Sequence, residues 1–327
     1  MNIAVTGGAG FIGFHVAKKL LKLGHNVVIF DNFNTYYDVN LKNDRIKELK
    51  KYYSSLPNAK NKLYIHKVDI SDYQKLNRIF KKYKFNKILH LAAQAGVRYS
   101  LKKPFQYESS NNLGTLNILE LMRKYKIKDL VFASSSSVYG NNKKIPFSEK
   151  DNVDNPISLY AATKKNNELC AYTYHHLYNL NCTGLRFFTV YGPWGRPDMA
   201  YFNFSKKIAN NETINVYNYG KGLKRDFTYI ADIVDGIISA LNNPFPYEII
   251  NLGNNNPIEL IKFINIIEKI FNKTAKKKLL PMQSGDVLIT YANISKAKKI
   301  LNYAPKIKIE KGLEEFIIWF KNYYGYK

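Results

Sequence analysis

The sequence has few cysteines, and those it has do not form a metal site. Cys170 and Cys182 are the only two among 327 residues, and neither stands at metal-ligand spacing from another cysteine or histidine. The six histidines show no such spacing either, since His175 and His176 are adjacent and point apart on a helix. We therefore expect no metal, and we interpret both cysteines as small core residues that a cytoplasmic location keeps reduced.

Long apolar runs are also missing. No stretch approaches the ~20 apolar residues that span a bilayer. The N-terminal MNIAVTGG passes from a strand pattern straight into glycines, without the basic and apolar regions of a signal peptide. The sequence therefore predicts no membrane partner and a cytoplasmic protein.

Acidic residues are outnumbered, with 25 Asp and Glu against 50 Lys and Arg and a net charge of +25. Such a charge suits nucleic acid, a membrane surface or an anionic substrate. The lysines, however, are dispersed among abundant Asn, Ile and Tyr, and no arginine-rich arm or nucleic-acid module is present. We expect a composition bias and no nucleic-acid partner, with a positive field that favours an anionic substrate.

The first half of the chain alternates short β-branched runs with amphipathic stretches. Strands are predicted near 2–7, 26–31, 62–69, 87–93, 129–134, 181–188 and 247–253. Helices are predicted near 11–23, 71–83, 111–126, 160–178, 231–242 and 257–271, and near the C-terminus. Alternating strands and helices require a parallel sheet covered on both faces. The predicted fold class is α/β, a Rossmann-type doubly wound parallel sheet with a second, smaller α/β domain.

A glycine-rich loop follows the first strand. Gly7 permits a tight turn, Gly10 lets the backbone approach a pyrophosphate, and Gly13 allows close packing of helix on strand. Phe11 and Ile12 begin the helix, whose N-terminus attracts phosphate. Asp31 ends the second strand, where an acid accepts hydrogen bonds from an adenosine ribose and repels a 2′-phosphate. With no arginine in the following Asn32-Phe33-Asn34, the pattern predicts NAD as the cofactor.

A Tyr-x-x-x-Lys pair stands on the helix predicted at 160–178. Tyr160 and Lys164 are four residues apart and share a face. A tyrosine is a poor base at neutral pH, but a neighbouring ammonium favours the phenolate. The pair is a weak signal on a lysine-rich helix and gains its meaning from the nucleotide loop upstream.

Together TGGAGFIG, Asp31, ASSSSVYG and YAATK resemble the extended short-chain dehydrogenase/reductase family of sugar-nucleotide enzymes over nearly the whole chain. The resemblance implies an NAD-binding Rossmann domain, placed at 1–188 plus 228–253. It also implies a nucleotide-sugar-binding domain, placed at 189–227 plus 254–327.

The resemblance also implies roles for individual residues. Tyr160 resembles the proton-transferring tyrosine, Lys164 the lysine that lowers its pKa, and Ser135 the residue that hydrogen-bonds the sugar hydroxyl. Ser134 is interpreted only as closing the strand. Further cofactor contacts are implied at Asn32, Asp69, Ile70, Leu91, Ala92, Ala93 and Ser110.

Three stretches, at 31–45, 92–100 and 183–200, resemble UDP-glucuronate 4-epimerases within that family. Arg225 falls in a segment whose arginine meets the diphosphate, a role that suits a bidentate guanidinium. Gln283 and Asp286 resemble the uridine-diphosphate segment, although UDP-galactose epimerases carry an arginine in place of Gln283.

The serine run discriminates between reactions. Dehydratases carry Asp-Glu, and decarboxylases Ser-Glu, where this chain has Ser136 and Ser137. A serine cannot act as a general acid at neutral pH, whereas a neutral hydroxyl suits a substrate carboxylate. Ser136, Ser137 and Thr189 are predicted carboxylate contacts, and Arg196 is predicted to contact carboxylate or phosphate. The alternative that Ser136 and Ser137 only cap a strand end stays open.

The predicted function is the NAD-dependent conversion of UDP-glucuronate to UDP-galacturonate through a 4-keto intermediate. The alternatives are a 4-epimerase of UDP-hexose or UDP-N-acetylhexosamine, a UDP-glucuronate decarboxylase, and a non-catalytic nucleotide-binding protein. A homodimer is expected because two helices carry apolar residues beyond one face, and relatives pair these helices in a four-helix bundle. The residues concerned are Leu116, Leu119, Met122, Leu169, Tyr172 and His176.

Overall fold

The computed structural model describes residues 1–57, 60–282 and 287–326, and a seven-stranded parallel sheet dominates it. Its strands are β1 (Asn2–Thr6), β2 (Asn26–Asp31), β3 (Leu63–Lys67), β4 (Lys87–His90), β5 (Asp129–Ser135), β6 (Asn181–Phe187) and β10 (Tyr247–Leu252). They lie in the order β10-β6-β5-β4-β1-β2-β3, and every pairing is parallel. The predicted α/β class and doubly wound sheet are confirmed, and the strand order reverses between β1 and β4.

Helices accompany both this sheet and the smaller part of the molecule. They are α1 (Phe11–Lys22), α2 (Val39–Ser54), α3 (Tyr73–Lys82), α4 (Val97–Lys102), α5 (Pro104–Tyr107), α6 (Gly114–Lys124), α7 (Leu159–Tyr178), α8 (Ala200–Ala209), α9 (Ile230–Asn242), α10 (Leu260–Phe271), α11 (Ser295–Leu301) and α12 (Ile309–Tyr324). A π-helical turn over Glu108–Leu113 leads into α6, and a 3-10 turn over Ser136–Tyr139 follows β5. Within the described ranges, none of the helices has the length and apolar content needed to cross a membrane.

The two faces of the sheet bury alternate residues of the same strands. In β1, Ile3 and Val5 join a core cluster with Phe14 of α1, whereas Ala4 joins a second cluster with Ile118 of α6. This arrangement explains why the strands read as continuous apolar runs, since both faces of a parallel sheet are covered.

The smaller part of the molecule is built on two short sheets. One contains β7 (Thr189–Tyr191), β9 (Lys224–Tyr229) and β11 (Pro257–Glu259), and the other pairs β8 (Ile214–Val216) with β12 (Lys277–Leu279). The helix predicted from residue 257 begins three residues later, because Pro257–Glu259 pairs with β9 as a strand. Since β10 then returns to the main sheet, the chain enters the smaller part twice. The exact domain boundaries remain a prediction.

The expected dimer face on α6 and α7 is corrected in part. Leu119 and Met122 are fully buried in the core cluster behind the sheet and cannot meet a partner. Leu116, Leu169 and Tyr172 are 41%, 54% and 53% exposed, and His176 is exposed as well. The homodimer remains a prediction that now rests on this narrower set.

Candidate active site

A large cavity opens at the carboxyl ends of the parallel strands, where they face the smaller sheets. Its volume is about 850 Å³, and open α/β sheets bind ligands at this edge, where the strand order reverses. Every predicted site residue in the described ranges lines this cavity except Asp69. Gln283 and Asp286 lie outside the described residues. The structure thus brings together residues that are up to 218 positions apart, from Gly7 to Arg225.

The glycine loop between β1 and α1 leaves no room for side chains. Gly7 has φ +70°, and a Cβ there would lie 2.8 Å from the backbone nitrogen of Ala92. A Cβ on Gly13 would lie 2.2 Å from the carbonyl oxygen of Gly7. The turn therefore requires glycine at both positions, and α1 presents its N-terminus to the cavity as a phosphate site.

Asp31 stands at the end of β2, with its carboxylate pointing back to the loop. It accepts hydrogen bonds from the backbone N–H groups of Ala9 at 3.1 Å and Phe33 at 2.9 Å. Burial raises the pKa of Asp31, and these N–H groups together with the charge of Lys42 oppose the shift. Asp69 reaches the site indirectly, because it accepts a hydrogen bond from the Asn32 amide at 2.7 Å. The loop and the acid fit the pyrophosphate and adenosine ribose of a dinucleotide.

Tyr160 and Lys164 project from the first turns of α7 toward the end of β5. Burial raises the pKa of Tyr160, while the charge of Arg196 and a hydrogen bond from Ser135 lower it. The buried Lys164 donates from Nζ to the carbonyl oxygen of Ala133 at 2.8 Å, and burial lowers its pKa to about 8. The predicted stabilisation of the Tyr160 phenolate by Lys164 is not found in this structure, because the lysine is directed at the strand. The cation that acts on Tyr160 here is Arg196.

The serine run is ordered by its own hydroxyls. Ser135 ends β5, and its Oγ accepts from the Ser137 N–H at 3.1 Å and from the Ser137 hydroxyl at 2.9 Å. With both lone pairs of Oγ occupied, the Ser135 proton is available for Tyr160. Ser137 thus supports Ser135, and both Ser136 and Ser137 line the cavity.

Ser134 has a contact that the sequence reasoning missed. Its hydroxyl donates to the Glu168 carboxylate at 2.6 Å, and Arg186 donates to both oxygens of the same carboxylate at 2.8 Å. Glu168 stands one helical turn after Lys164, so this buried ion pair fixes α7 against β5 and β6. A glutamate four residues after the lysine was the available signal in the sequence.

Arg196 lies in the loop after β7 and shares the cavity with Tyr160. Its Nε donates to Asp198 at 3.0 Å, its Nη2 donates to the other carboxylate oxygen, and the Tyr36 hydroxyl donates to Asp198 at 3.0 Å. Burial acts to raise the pKa of Asp198, but the Arg196 charge and the hydrogen bonds from Arg196 and Tyr36 together lower it. The side-on pair with Asp198 leaves Nη1 and one Nη2 hydrogen for a ligand. Sequence reasoning missed Asp198 and Tyr36, although both lie in stretches that it singled out.

Comparison with known proteins agrees with this geometry. The family model described as GDP-mannose 4,6 dehydratase matches residues 4–316. The chain belongs to the NAD-dependent epimerase/dehydratase family, the extended short-chain dehydrogenases/reductases.

Individual relatives cover almost all of the chain. An uncharacterised protein of Methanocaldococcus jannaschii is 56% identical over 98% of this chain and 96% of its own length. A protein of Thermodesulfobacterium geofontis named UDP-glucuronate 4-epimerase is 48% identical over 97% and 95%. A crystal structure of UDP-glucuronic acid 4-epimerase from Bacillus cereus, in complex with UDP-glucuronic acid and NAD, superposes with a TM-score of 0.90 at 34% identity, covering 99% and 100% of the two chains.

NAD is the cofactor of this family member, as the loop and Asp31 predicted. Gly7, Gly10 and Gly13 would receive the pyrophosphate, Asp31 the adenosine ribose, and Lys164 the nicotinamide ribose. The described residues hold no cluster of three or more His, Cys, Asp or Glu side chains able to bind a metal.

Residues of the smaller sheets also line the cavity. Arg225, in β9, donates from Nη1 to the carbonyl oxygens of Lys224 and Leu288, both at 3.0 Å, so its guanidinium is placed by its own strand and by the segment opposite. Thr189 begins β7, which pairs with β9 in the same sheet, and it also lines the cavity. The cavity that contains Tyr160 thus carries the positive charges of Arg196 and Arg225.

Proposed function

We propose that this enzyme inverts carbon 4 of a UDP-uronic acid, interconverting UDP-glucuronate and UDP-galacturonate. The observation that carries the proposal is the wall beside Tyr160. It presents Arg196 and the hydroxyls of Ser136 and Thr189, and it has no carboxylate at Ser136 or Ser137. A substrate carboxylate is attracted by such a wall and would be repelled by an acid there. The names of the Thermodesulfobacterium and Bacillus proteins support the same substrate.

In the proposed reaction Tyr160 handles the proton of the 4-hydroxyl. Ser135 bridges the substrate 4-hydroxyl and Tyr160. For this the Ser137 hydroxyl must turn away, which frees a lone pair on Ser135 Oγ. Arg196 stabilises the phenolate, and Lys164 adds a second cation when it turns from Ala133 to the nicotinamide ribose. When NAD is bound, hydride would leave carbon 4 for the nicotinamide and return to the opposite face of the 4-keto sugar, so carbon 4 would be inverted without net oxidation.

The wall around the carboxylate has a second task. A 4-keto uronate is a β-keto acid and loses CO₂ when its carboxylate stands perpendicular to the ketone plane. Hydroxyl and guanidinium contacts that fix the carboxylate torsion oppose this loss. Because Ser137 lacks the carboxyl group of a decarboxylase glutamate, a decarboxylase is a weaker candidate.

The test is incubation of the purified enzyme with UDP-glucuronate and no added nicotinamide, followed by NMR and mass analysis. We expect a product of unchanged mass with the galacto configuration. Release of CO₂ with a UDP-pentose product would overturn the proposal.

A 4-epimerase of neutral UDP-hexoses is the second candidate, and the Arg196–Asp198 ion pair favours it. Asp198 already neutralises the guanidinium, with both side chains partly exposed to the cavity. Comparing kcat/KM for UDP-glucuronate and UDP-glucose separates the two functions, since only a uronate epimerase prefers the charged sugar.

A further inference from the structure

Arg45, in α2, is fully buried, and within the described residues it forms no hydrogen-bonded ion pair with a carboxylate. Its Nε and Nη2 donate to the Trp194 carbonyl at 3.0 and 2.6 Å, and Nη2 also donates to the Gly195 carbonyl at 3.0 Å. Its Nη1 donates to the Ala9 carbonyl at 3.0 Å and to the Tyr37 hydroxyl at 2.7 Å. All five bonds end on neutral oxygens. The charge of Arg45 acts to lower the pKa of the buried Asp31 carboxylate, but none of the five bonds reaches that group. Burying a cation that is hydrogen-bonded only to neutral oxygens is costly, so a smaller neutral residue would be the ordinary choice at a purely structural position.

One end of the Arg45 contacts lies in the cofactor loop. Ala9 stands between Gly8 and Gly10, and its N–H donates to Asp31 at 3.1 Å while its carbonyl accepts from Arg45. The N–H and the carbonyl of Ala9 are thus both held by side chains, one from Asp31 at the end of β2 and one from Arg45 in α2. The pyrophosphate turn depends on Arg45 as directly as on Asp31.

The other end lies immediately before Arg196. The carbonyls of Trp194 and Gly195 accept from Arg45, and the Tyr36 hydroxyl donates to Asp198 on the other side of Arg196. Tyr36 and Arg45 belong to one segment, the loop after β2 and α2. This segment therefore contacts the Arg196 loop on both sides of Arg196.

We propose that Arg45 is a positioning residue that joins the NAD pyrophosphate turn to the loop carrying Arg196. Both the retention of NAD and the placement of Arg196 against the sugar then depend on Arg45. The part of this inference that concerns a substrate carboxylate rests on the proposed function. The part that concerns NAD retention does not. Arg45 touches neither ligand, and its effect passes through Ala9 on one side and Gly195 on the other.

The first experiment compares Arg45→Met and Arg45→Lys with the wild-type enzyme. We expect Arg45→Met to release its bound NAD at least about tenfold faster and to lose about 10²-fold in kcat/KM for UDP-glucuronate, because misplacement by ~1 Å costs about that much. Arg45→Lys, which keeps the cation, recovers part of both. Arg78→Met, an exposed arginine of α3, is the matched control and should change neither. NAD release at the wild-type rate from folded Arg45→Met and Arg45→Lys would overturn the proposal.

The second experiment is a double-mutant cycle with Arg196→Gln. If Arg45 acts through Arg196, the loss in kcat/KM caused by Arg45→Lys shrinks in the Arg196→Gln background. Equal losses in both backgrounds would overturn the coupling. Activity of the wild-type enzyme on UDP-glucuronate tests the proposed function separately. If only a neutral UDP-hexose is turned over, the cycle is run with that sugar, and non-additivity still supports the positioning role.

Discussion

At the residue scale, Tyr160 is the group on which the proposed chemistry depends. Replacing Tyr160 with Phe keeps the ring and removes the hydroxyl, so turnover should fall by about 10²- to 10⁴-fold, the range of a general acid–base group. Bound NAD and affinity for UDP-sugar should be unchanged. Tyr178→Phe on the same helix, at an exposed position outside the predicted dimer face, is the control. Steady-state kinetics with calorimetric binding checks this, and an active Tyr160→Phe variant would contradict it.

The buried Lys164 gives the reaction an alkaline limit. Its pKa is lowered to about 8 by burial, so its positive charge is present below pH 8 and is lost as the pH rises through that value. Since this charge is proposed to stabilise the Tyr160 phenolate, kcat/KM should fall above pH 8. In Lys164→Arg the alkaline limb should move to higher pH, because arginine stays charged. The test is a pH profile of kcat/KM for the wild-type enzyme and for Lys164→Arg. Identical alkaline limbs would refute the assignment of this limb to Lys164.

Some of the site residues could be predicted from the sequence and others could not. Glycines, Asp31 and the Tyr160–Lys164 pair stand in local patterns that need no partner to be recognised. Asp198, Tyr36 and Arg45 act through contacts between distant segments, as in the Arg45–Trp194 bond, which spans 149 residues. No local sequence pattern encodes such a contact. The sequence therefore indicated the stretches 31–45 and 183–200 that contain these residues, but not the residues themselves.

At the scale of elements, α7 is fastened to the sheet by the Glu168–Arg186 ion pair. Both side chains are almost wholly buried, at 3% and 4% exposure. Glu168→Gln leaves the guanidinium uncompensated and should lower the free energy of unfolding by about 3–5 kcal/mol. The double variant Glu168→Gln, Arg186→Met should regain part of this loss. Urea denaturation measures both, and a double variant as unstable as the sum of the two single variants would contradict the account.

Secondary structure was predictable where a pattern is long. The helix predicted at 160–178 is observed at Leu159–Tyr178, because a helical pattern of this length can be recognised without its tertiary partners. In the structure the Ser158 side chain caps its first turn. The prediction that a helix starts at residue 257 was wrong, because Pro257–Glu259 pairs with β9 as a strand and the helix begins at Leu260. Tertiary pairing overrides local preference most easily in such short segments.

At the scale of the whole molecule, an exposed apolar face on α6 and α7 calls for a partner. We predict a homodimer of 37.8 kDa chains, and Leu169→Glu should convert it to monomer by burying a charge in the interface. Leu23→Glu, at a leucine that is 47% exposed at the end of α1, should leave the assembly intact. Light scattering coupled to size exclusion reads the mass directly. A wild-type monomer would exclude this prediction.

The return of the chain to the main sheet has a consequence for synthesis. Strand β6 is complete at residue 187, but its neighbour β10 begins only at Tyr247. While the intervening residues leave the ribosome, β6 is an open parallel edge, and such edges template wrong pairing. A nascent chain stalled in this interval, or a fragment ending there, should be the aggregation-prone form of the protein and a natural client of chaperones.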